Sequence, residues 1–437
     1  MSVNNVLRGL GFALMLAFSA TSHAQTVWDA QDYDLYFGDF NGDGKTDVLY
    51  IAKSPTGVSG INLSDGSGPN IPVQSWQSTY LGINWFGNQF TVIVADFNGD
   101  GKADVLMQNN TSGYSYLLFA NAQGMLTGIS QQIAQNTAGL DWSAAQHHLV
   151  AGDYTHGGQA DLFFQATSPS GTNAVMLSST NPSTRGQFTA TAPEESWSDG
   201  YLGFKWATNE ALIYAGDFNG DGHTDLLIQA KPVFVMIDYD VPFPVPTFAP
   251  HVDGVVLAQA TSPIFQIGGV QSWNVNAFGA NWSPLVSNVV VGDFNGGQTM
   301  DVLLQGRHTG QASDLLIGNT SGTIFSTGTA LASNINWTAD NFRLLVAQFA
   351  GPGAQGVYLQ ALTAAGTNLY ASNINGATVS TTPQNPTIAS DIISYTYDAL
   401  GRLVTVTHLG AASSAQVSYV LDSAGNRTQV TVTRSPQ

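Results

Sequence analysis

Short apolar stretches separated by turn-forming residues recur along most of this chain. In one stretch the strand candidates are Phe90 to Phe97, Ala103 to Asn109, Tyr114 to Ala120 and Gly128 to Ala134. Such runs, bounded by Gly, Asn and Ser, predict β-strands joined by tight turns. Helical periodicity is hard to find beyond the first two dozen residues, so the chain is predicted to be all-β.

A nine-residue pattern, Asp-x-Asn-x-Asp-Gly-x-x-Asp, leads directly into three of the apolar stretches. It occupies residues 39–47, 96–104 and 217–225. Three carboxylates held about 5 Å apart repel by roughly 3 kcal/mol per pair at an effective dielectric of ~20. Hairpin turns formed by Asn-Gly and Asp-Gly are the alternative explanation, but turn chemistry does not require three carboxylates in each copy.

The pattern therefore predicts three Ca²⁺ sites, because a hard cation takes six to eight oxygens and alternate side chains of a tight loop converge on one point. The ligands are the side chains at positions one, three, five and nine and the carbonyl of position seven. They are Asp39, Asn41, Asp43, Lys45 and Asp47; Asp96, Asn98, Asp100, Lys102 and Asp104; Asp217, Asn219, Asp221, His223 and Asp225. Gly44, Gly101 and Gly222 are expected to have positive φ.

Three degenerate copies of the loop reveal a longer repeat. They lie at 153–161, 293–301 and 348–356, and we expect no calcium there because Gly157, Gly297 and Pro352 replace the central carboxylate. All six copies have a tryptophan eleven residues upstream: Trp28, Trp85, Trp142, Trp206, Trp282 and Trp337. Five have a glutamine twelve residues after the loop start: Gln108, Gln165, Gln229, Gln305 and Gln360.

Repeats of about this length, each with four strand candidates, predict a β-propeller. Residues 25–383 divide into six units, so six blades are predicted, with seven as the alternative if terminal strands form another sheet. The tryptophans hold equivalent positions in every unit, which favours core packing over a ring of ligand-stacking residues.

The first 24 residues have the features of a secretory signal. Arg8 precedes an apolar stretch, residues 9–20, and Ser22-His23-Ala24 fits the small-x-small cleavage rule. No later run reaches the eighteen apolar residues of a spanning helix. We therefore expect a protein that is secreted or located at the cell surface or in the periplasm, without a transmembrane segment after cleavage.

Composition restricts the partners. Cysteine is absent, which excludes disulfides and a thiol nucleophile. Removal of the signal leaves 12 − 1 = 11 basic against 30 acidic residues, a formal charge of −19. Such a chain repels nucleic acid and anionic lipid, so neither is expected as a partner.

The repeats resemble the FG-GAP/VCBS family of secreted bacterial proteins and integrin heads. The resemblance rests on the three complete loops and covers most of residues 25–383. It implies a propeller whose cations lie in hairpin loops and stabilise the blades, and a function in binding.

A different pattern follows a proline-bearing linker at 384–390. Tyr395-Thr396-Tyr397-Asp398-x-x-Gly401-Arg402 is repeated as Tyr419-x-Leu421-Asp422-x-x-Gly425-Asn426-Arg427. Residues 391–437 thus resemble Rhs/YD repeats, which are β-hairpin units of shell-forming toxin proteins. Two copies cannot close a shell, so this tail is expected to pack on the propeller or on a partner.

Catalytic patterns are missing from the sequence. His147, His148 and His156 lie around the third loop but lack a metal-binding spacing, and the neighbours Glu194 and Glu195 point to opposite faces of a strand. The insertion at 231–253, rich in proline and aromatic residues, is predicted either to contact a partner or to cover a blade edge.

Three functions remain as hypotheses. The first is a calcium-stabilised binding or adhesion module for a protein or glycan, without enzymatic activity. The second is an accessory component of an Rhs-type assembly. The third is an enzyme acting on polysaccharides or phosphoesters through a site built from distant loops.

Overall fold

The computed structural model describes residues 28–384 apart from 88, 233, 237–245, 249–251, 298, 321–323, 332–334, 364, 375–378 and 380, together with four strands between 392 and 436. For those four strands and for 234–236 and 246–248, only the main chain is described. The predicted signal, residues 1–24, lies outside the described residues.

Six four-stranded antiparallel sheets form the blades, each with its strands in chain order. The first three blades have these strands: Tyr33–Gly38, Asp47–Ala52, Ser59–Leu63 and Ile71–Trp76; Phe90–Ala95, Asp104–Asn109, Tyr114–Leu118 and Gln131–Ala134; His147–Gly152, Asp161–Ala166, Thr172–Met176 and Glu195–Ser198.

The last three blades have these strands: Ala211–Gly216, Asp225–Ala230, Asp253–Ala258 and Phe265–Trp273; Ser287–Gly292, Asp301–Gly306, Asp314–Leu316 and Thr329–Ala330; Phe342–Ala347, Gly356–Ala361, Asn368–Ala371 and Thr382–Gln384. Two small ribbons pair Thr79–Tyr80 with Ile83–Asn84 and Phe234–Met236 with Pro246–Phe248. Single 3₁₀ turns lie at Thr137–Gly139, Tyr201–Gly203 and Ala277–Gly279.

The first strands surround the centre, and each contacts the first strand of the next blade, including the sixth with the first. One main-chain hydrogen bond repeats at all six seams: the N–H at loop position eight donates to the carbonyl at position one of the preceding loop. The pairs are Ala103 to Asp39, Ala160 to Asp96, Thr224 to Asp153, Met300 to Asp217, Gln355 to Asp293 and Thr46 to Gln348, at 2.6–2.8 Å. The last pair closes the ring.

The repeated glutamines make a second set of contacts between blades. Each donates its side-chain N–H to the first carbonyl of the next blade's first strand, and four of the five also donate to the carbonyl of the next blade's tryptophan. Gln165 Nε2, for example, lies 2.8 Å from Trp206 O and 3.2 Å from Ala211 O. Gln360 makes the same pair of bonds to Trp28 and Tyr33, both at 3.1 Å, across the closing seam.

Apolar packing fills the space between the blades. The repeated tryptophans are at most 4% exposed, which confirms that they belong to the core. A second aromatic set, at loop position two, is completely buried: Phe40, Phe97, Tyr154, Phe218, Phe294 and Phe349. Burial of a whole aromatic side chain contributes about 1.5–3 kcal/mol, so these rings are a major source of stability.

The prediction of an all-β propeller with six blades is confirmed, and its four predicted strands in the second blade agree closely with the observed ones. The seven-blade alternative is wrong, because the sixth blade contacts the first directly. The tail forms a separate four-stranded sheet of Ile392–Tyr397, Leu403–Leu409, Ser413–Leu421 and Arg427–Pro436. Gln384, the first residue of the predicted linker, is the last residue of the fourth strand of blade six, and the rest of the linker lies outside the described residues.

Candidate metal centres in the hairpin loops

All six loops connect the first and second strands of a blade, and the seam bonds join each loop to the next. The predicted backbone turn is present. Gly44, Gly101 and Gly222 have φ of 79°, 80° and 87°, a conformation that glycine adopts without steric cost. The three complete loops therefore share one fold at equivalent positions of the ring.

The aspartate at position one caps the main chain of its loop. Asp39 accepts the N–H groups of Gly42 (2.7 Å) and Asp43 (3.1 Å) on Oδ1 and that of Gly44 (2.7 Å) on Oδ2. Asp96 and Asp217 make the same three contacts. In the degenerate loop of blade three, Asp153 accepts two of the three equivalent N–H groups, so this cap does not depend on the central carboxylate.

The central aspartate of each complete loop pairs with the basic residue two positions later. Lys45 Nζ lies 2.7 Å from Asp43, and Lys102 Nζ lies 2.6 Å from Asp100. In the loop of blade four, His223 Nδ1 lies 3.1 Å from Asp221. Slight burial would raise the pKa of Asp43, but the hydrogen bonds from Lys45 outweigh it and the pKa is lowered.

The aspartate at position nine is buried and links the loop to the third strand of its blade. Asp47 accepts the N–H of Phe40 (2.9 Å) and that of Ser64 (2.8 Å), and it has no exposed surface. Burial, assisted by the nearby charges of Asp39 and Asp43, raises its pKa to about 7. The same causes raise the pKa of Asp104 and of Asp225 to about 8.

Two degenerate loops contain the same buried carboxylate. Asp161 accepts the N–H of Ser178 (2.9 Å), and Asp301 accepts those of Phe294 and Gly318 (both 2.8 Å). The ninth aspartate therefore has a structural role in five blades, which sequence reasoning missed. The signal was present, because this residue persists in loops that have lost their central carboxylate.

The donor set of the complete loops suits a hard cation. Carboxylate and amide oxygens alternate along each loop, and in the second loop Asn98 Oδ1 is buried without a hydrogen-bond partner. Burial is the main cause of the raised pKa at position nine, and the neighbouring carboxylates that add to it are negative charges that attract a cation. Within the described part of the chain, no three His, Asp or Glu side chains converge closely enough to hold an ion.

The other polar candidates have structural contacts. His147 is buried, and its two ring nitrogens lie 2.6 Å and 2.9 Å from the carbonyls of Asp141 and Thr172. His156 lies beyond the far end of the same strand, with Nδ1 2.6 Å from Gly222 O. Glu195 accepts the N–H of Ile264 (2.7 Å) and so connects blades three and four.

These features define the class: a closed six-bladed β-propeller whose blades have carboxylate-rich hairpin loops. Residues 39–107 match the family model described as FG-GAP-like repeat. This segment contains the first two complete loops, and the match confirms the FG-GAP part of the predicted resemblance. No curated protein matches the sequence.

Of three solved structures that match this chain, only the first has a TM-score above 0.5. It is an Agrocybe aegerita lectin whose structure concerns recognition of non-reducing terminal N-acetylglucosamine. Its TM-score is 0.51 at 17% sequence identity, and the alignment covers 82% of this chain and 81% of the lectin chain. The Photorhabdus luminescens Tc holotoxin pore has a TM-score of 0.49 at 14% identity, with coverage of 88% and 17%. The V. cholerae biofilm matrix protein Bap1 has a TM-score of 0.28 at 11% identity, with coverage of 91% and 58%.

Among the described residues there is no helix with the length and apolar character needed to cross a bilayer.

Proposed function

We propose that this protein is a calcium-stabilised binding module that recognises a glycan or protein partner. The observation that carries the proposal is the closed six-bladed ring, together with the similarity of 82% of this chain to a lectin structure. A rigid ring of this kind offers its loops as a binding surface. The FG-GAP-like match and the propeller fold favour binding over catalysis.

Calcium would act where the blades meet. The carbonyl of position one and the N–H of position eight, which form the main-chain seam bond, belong to the same loops as the proposed ligands. An ion at a complete loop would therefore stiffen two seams. Binding requires Asp39 and Asp43 to exchange their N–H and Lys45 contacts for the ion, so Lys45 is a competitor for the same carboxylate.

Calorimetric titration of the chelated protein with calcium tests this part. We expect three sites and a higher melting temperature, because an ion that binds only the folded state adds about 1.4 kcal/mol at ten times its dissociation constant. The triple variant Asp43→Ala, Asp100→Ala, Asp221→Ala should lose both effects. Glu194→Ala removes an exposed carboxylate outside the loops and should retain them. A calcium response that persists in the triple variant would contradict the proposal.

Screening on a glycan array that includes N-acetylglucosamine-terminated structures, together with pull-downs from an envelope fraction, tests the binding role. Both are done with calcium and with a chelator. We expect one class of ligand whose signal weakens in chelator. The absence of any ligand from both screens with calcium present counts against a binding module.

The tail favours one alternative, an accessory role in an Rhs-type assembly. The described part of its two YD-like copies, residues 395–397 and 419–421 with Arg427, belongs to a four-stranded antiparallel sheet, the arrangement expected of hairpin repeats. Open reading frames beside the gene should then encode longer YD arrays or a toxin. Their absence would make this role untenable.

A further inference from the structure

In five blades the segment after the repeated tryptophan is hydrogen-bonded to the hairpin that joins strands two and three, and we call the junction of these two segments the groove. In blades one, four and five, a basic side chain of the hairpin spans this groove and donates to a main-chain carbonyl. The bonds are Lys53 Nζ to Ala30 O (2.7 Å), Lys231 Nζ to Thr208 O (2.5 Å) and Arg307 Nη1 to Pro284 O (2.6 Å). In these blades the chain's own cations thus bridge the junction, and Lys53, with 41% of its side chain exposed, also pairs with Asp34 (3.1 Å).

The spanning residues share one repeat position, fourteen residues after the loop start. Blade three has Thr167 there, whose hydroxyl donates to Ala145 O at 3.0 Å. In blade four, partial burial lowers the pKa of Lys231. Blade six has Leu362 at this position, and a leucine side chain has no polar group that could donate a hydrogen bond.

An open cavity of about 550 Å³ lies at this place in blade six. Its lining includes Asn336, Asp340, Phe342, Leu362 and Thr363, and we call it the blade-six groove. In the other five blades, the main-chain N–H of the residue fourteen after the loop start donates to a carbonyl of the segment after the tryptophan, as Lys53 does to Asp32 O at 2.8 Å. Of the described residues, the corresponding pair in blade six, Asn341 and Leu362, makes no such bond.

The rim of the blade-six groove is negatively charged. Asp340 has a side chain 46% exposed, which accepts the N–H of Thr309 (3.0 Å) and pairs with His308 (3.2 Å). These contacts lower its pKa, so the carboxylate keeps its charge at neutral pH. Phe342 and Leu362 supply apolar surface for methylene groups below that charge.

We propose that the blade-six groove binds a lysine or arginine side chain of a partner protein. The equivalent grooves show which group fits, since three of them hold such a side chain against a main-chain carbonyl. A formal charge of −18 for the whole chain adds a favourable long-range field for a basic segment. The site is independent of the calcium loops and of any glycan ligand.

Ligand-observed NMR with N-acetyl-arginine amide tests the proposal, with the neutral N-acetyl-citrulline amide as the matched probe. We expect saturation transfer to the arginine probe only. Leu362→Arg places a basic side chain in the groove and should weaken binding about tenfold or more, because a tethered group acts at millimolar effective concentration. Leu362→Met, which has no charged group, should bind as the wild type does.

Asp340→Asn should lower the affinity for the arginine probe and remove the salt dependence of its binding. Asp65→Asn, which lies on another blade, should have neither effect. Equal binding of the citrulline probe, binding unchanged in Leu362→Arg, or no saturation transfer from the arginine probe would each overturn the proposal. Glucosamine that binds with the same dependence on Leu362 would overturn it in favour of an amino sugar. Measurements in calcium and in chelator should agree, so that failure here is distinct from failure of the calcium loops.

Discussion

The ninth residue of the loop shows how much a single side chain can do in this fold. The sequence predicts Asp47, Asp104 and Asp225 as ligands from their spacing alone. The structure adds that each accepts main-chain N–H groups from two parts of its blade. Asp301 does the same in a loop without a central carboxylate, and Asp161 accepts the N–H of Ser178 and the hydroxyl of Thr155. Spacing could not reveal this, because the second N–H donor lies at or just beyond the end of the third strand, 16 to 33 residues away.

Stability should fall as pH rises wherever such a buried carboxylate loses its proton. Burial raises the pKa of Asp161 to about 7, above the value near 3.9 of an unfolded chain. The folded state therefore binds more protons between about pH 4 and 7, and this contribution to stability is lost as pH rises through that window. We expect Asp161→Asn to gain stability relative to wild type at pH 8 but not at pH 4, in urea titrations at the two pH values.

The amide of Asp161→Asn can still accept from Ser178 and donate to the hydroxyl of Thr155, which keeps the contacts of the loop. Asp65 is a control whose pKa shifts in the opposite direction, because hydrogen bonds from Ser67 outweigh the effect of burial and lower its pKa to about 2. Its favourable contribution is present above pH 4 and is lost below, so Asp65→Asn should cost stability at neutral pH only. Parallel pH curves for wild type and Asp161→Asn would refute the assignment.

At the scale of the element, the loop of blade three differs from a complete one at two positions. Thr155 stands in place of Asn and Gly157 in place of the central Asp, while the cap and the buried ninth carboxylate remain. A Cβ at Gly157 would lie 3.5 Å from the nearest side-chain atom, which is ordinary contact. His156 already adopts the positive φ, 55°, that glycine has in the complete loops.

The double variant Thr155→Asn, Gly157→Asp should therefore create a fourth calcium site. Calorimetry should show the number of bound ions rising by one, because the variant restores the full spacing of oxygen donors. Thr155→Asn alone lacks the central carboxylate and should bind as the wild type does. An unchanged stoichiometry in the double variant would show that the nine-residue pattern is not sufficient for calcium.

For the whole molecule, the seam between blades six and one differs from the others in one respect. Consecutive blades are linked by the chain, whereas these two are held by non-covalent contacts such as Gln360 with Trp28 and Tyr33. Gln360→Leu removes this donor from both carbonyls, although Trp28 O keeps a hydrogen bond from Asn368 Nδ2 (3.2 Å), and the loss of a buried donor costs about 1–3 kcal/mol. Gln165→Leu makes the same change between blades three and four.

Both variants should lose similar stability in denaturant titrations, but they should differ in hydrogen exchange. Gln360→Leu should speed exchange in blades one and six, because separation of this seam is opposed by no chain connection. Gln165→Leu should speed hydrogen exchange in blades three and four by a smaller factor. Equal exchange patterns in the two variants would show that the closing seam is no weaker than the rest.

Most of the architecture was predictable, because the fixed offsets of tryptophan, loop and glutamine require equivalent units and the turn signals divide each unit into strands. The contacts made by the residues at these fixed offsets were not predictable. Gln165 and Trp206 are 41 residues apart in sequence, and only the ring brings them together. The blade-six groove was equally hidden, since Leu362 gains meaning only beside Lys53 and Arg307 in blades that share its geometry.

The six identical main-chain bonds at the seams have a consequence for the order of the blades in the gene. Since blade six meets blade one as every other pair meets, with no strand exchanged among the described residues, the ring does not specify which blade comes first. A circular permutant that starts at blade four and ends at blade three should recover the same architecture, and the native starting point is one of six equivalent choices.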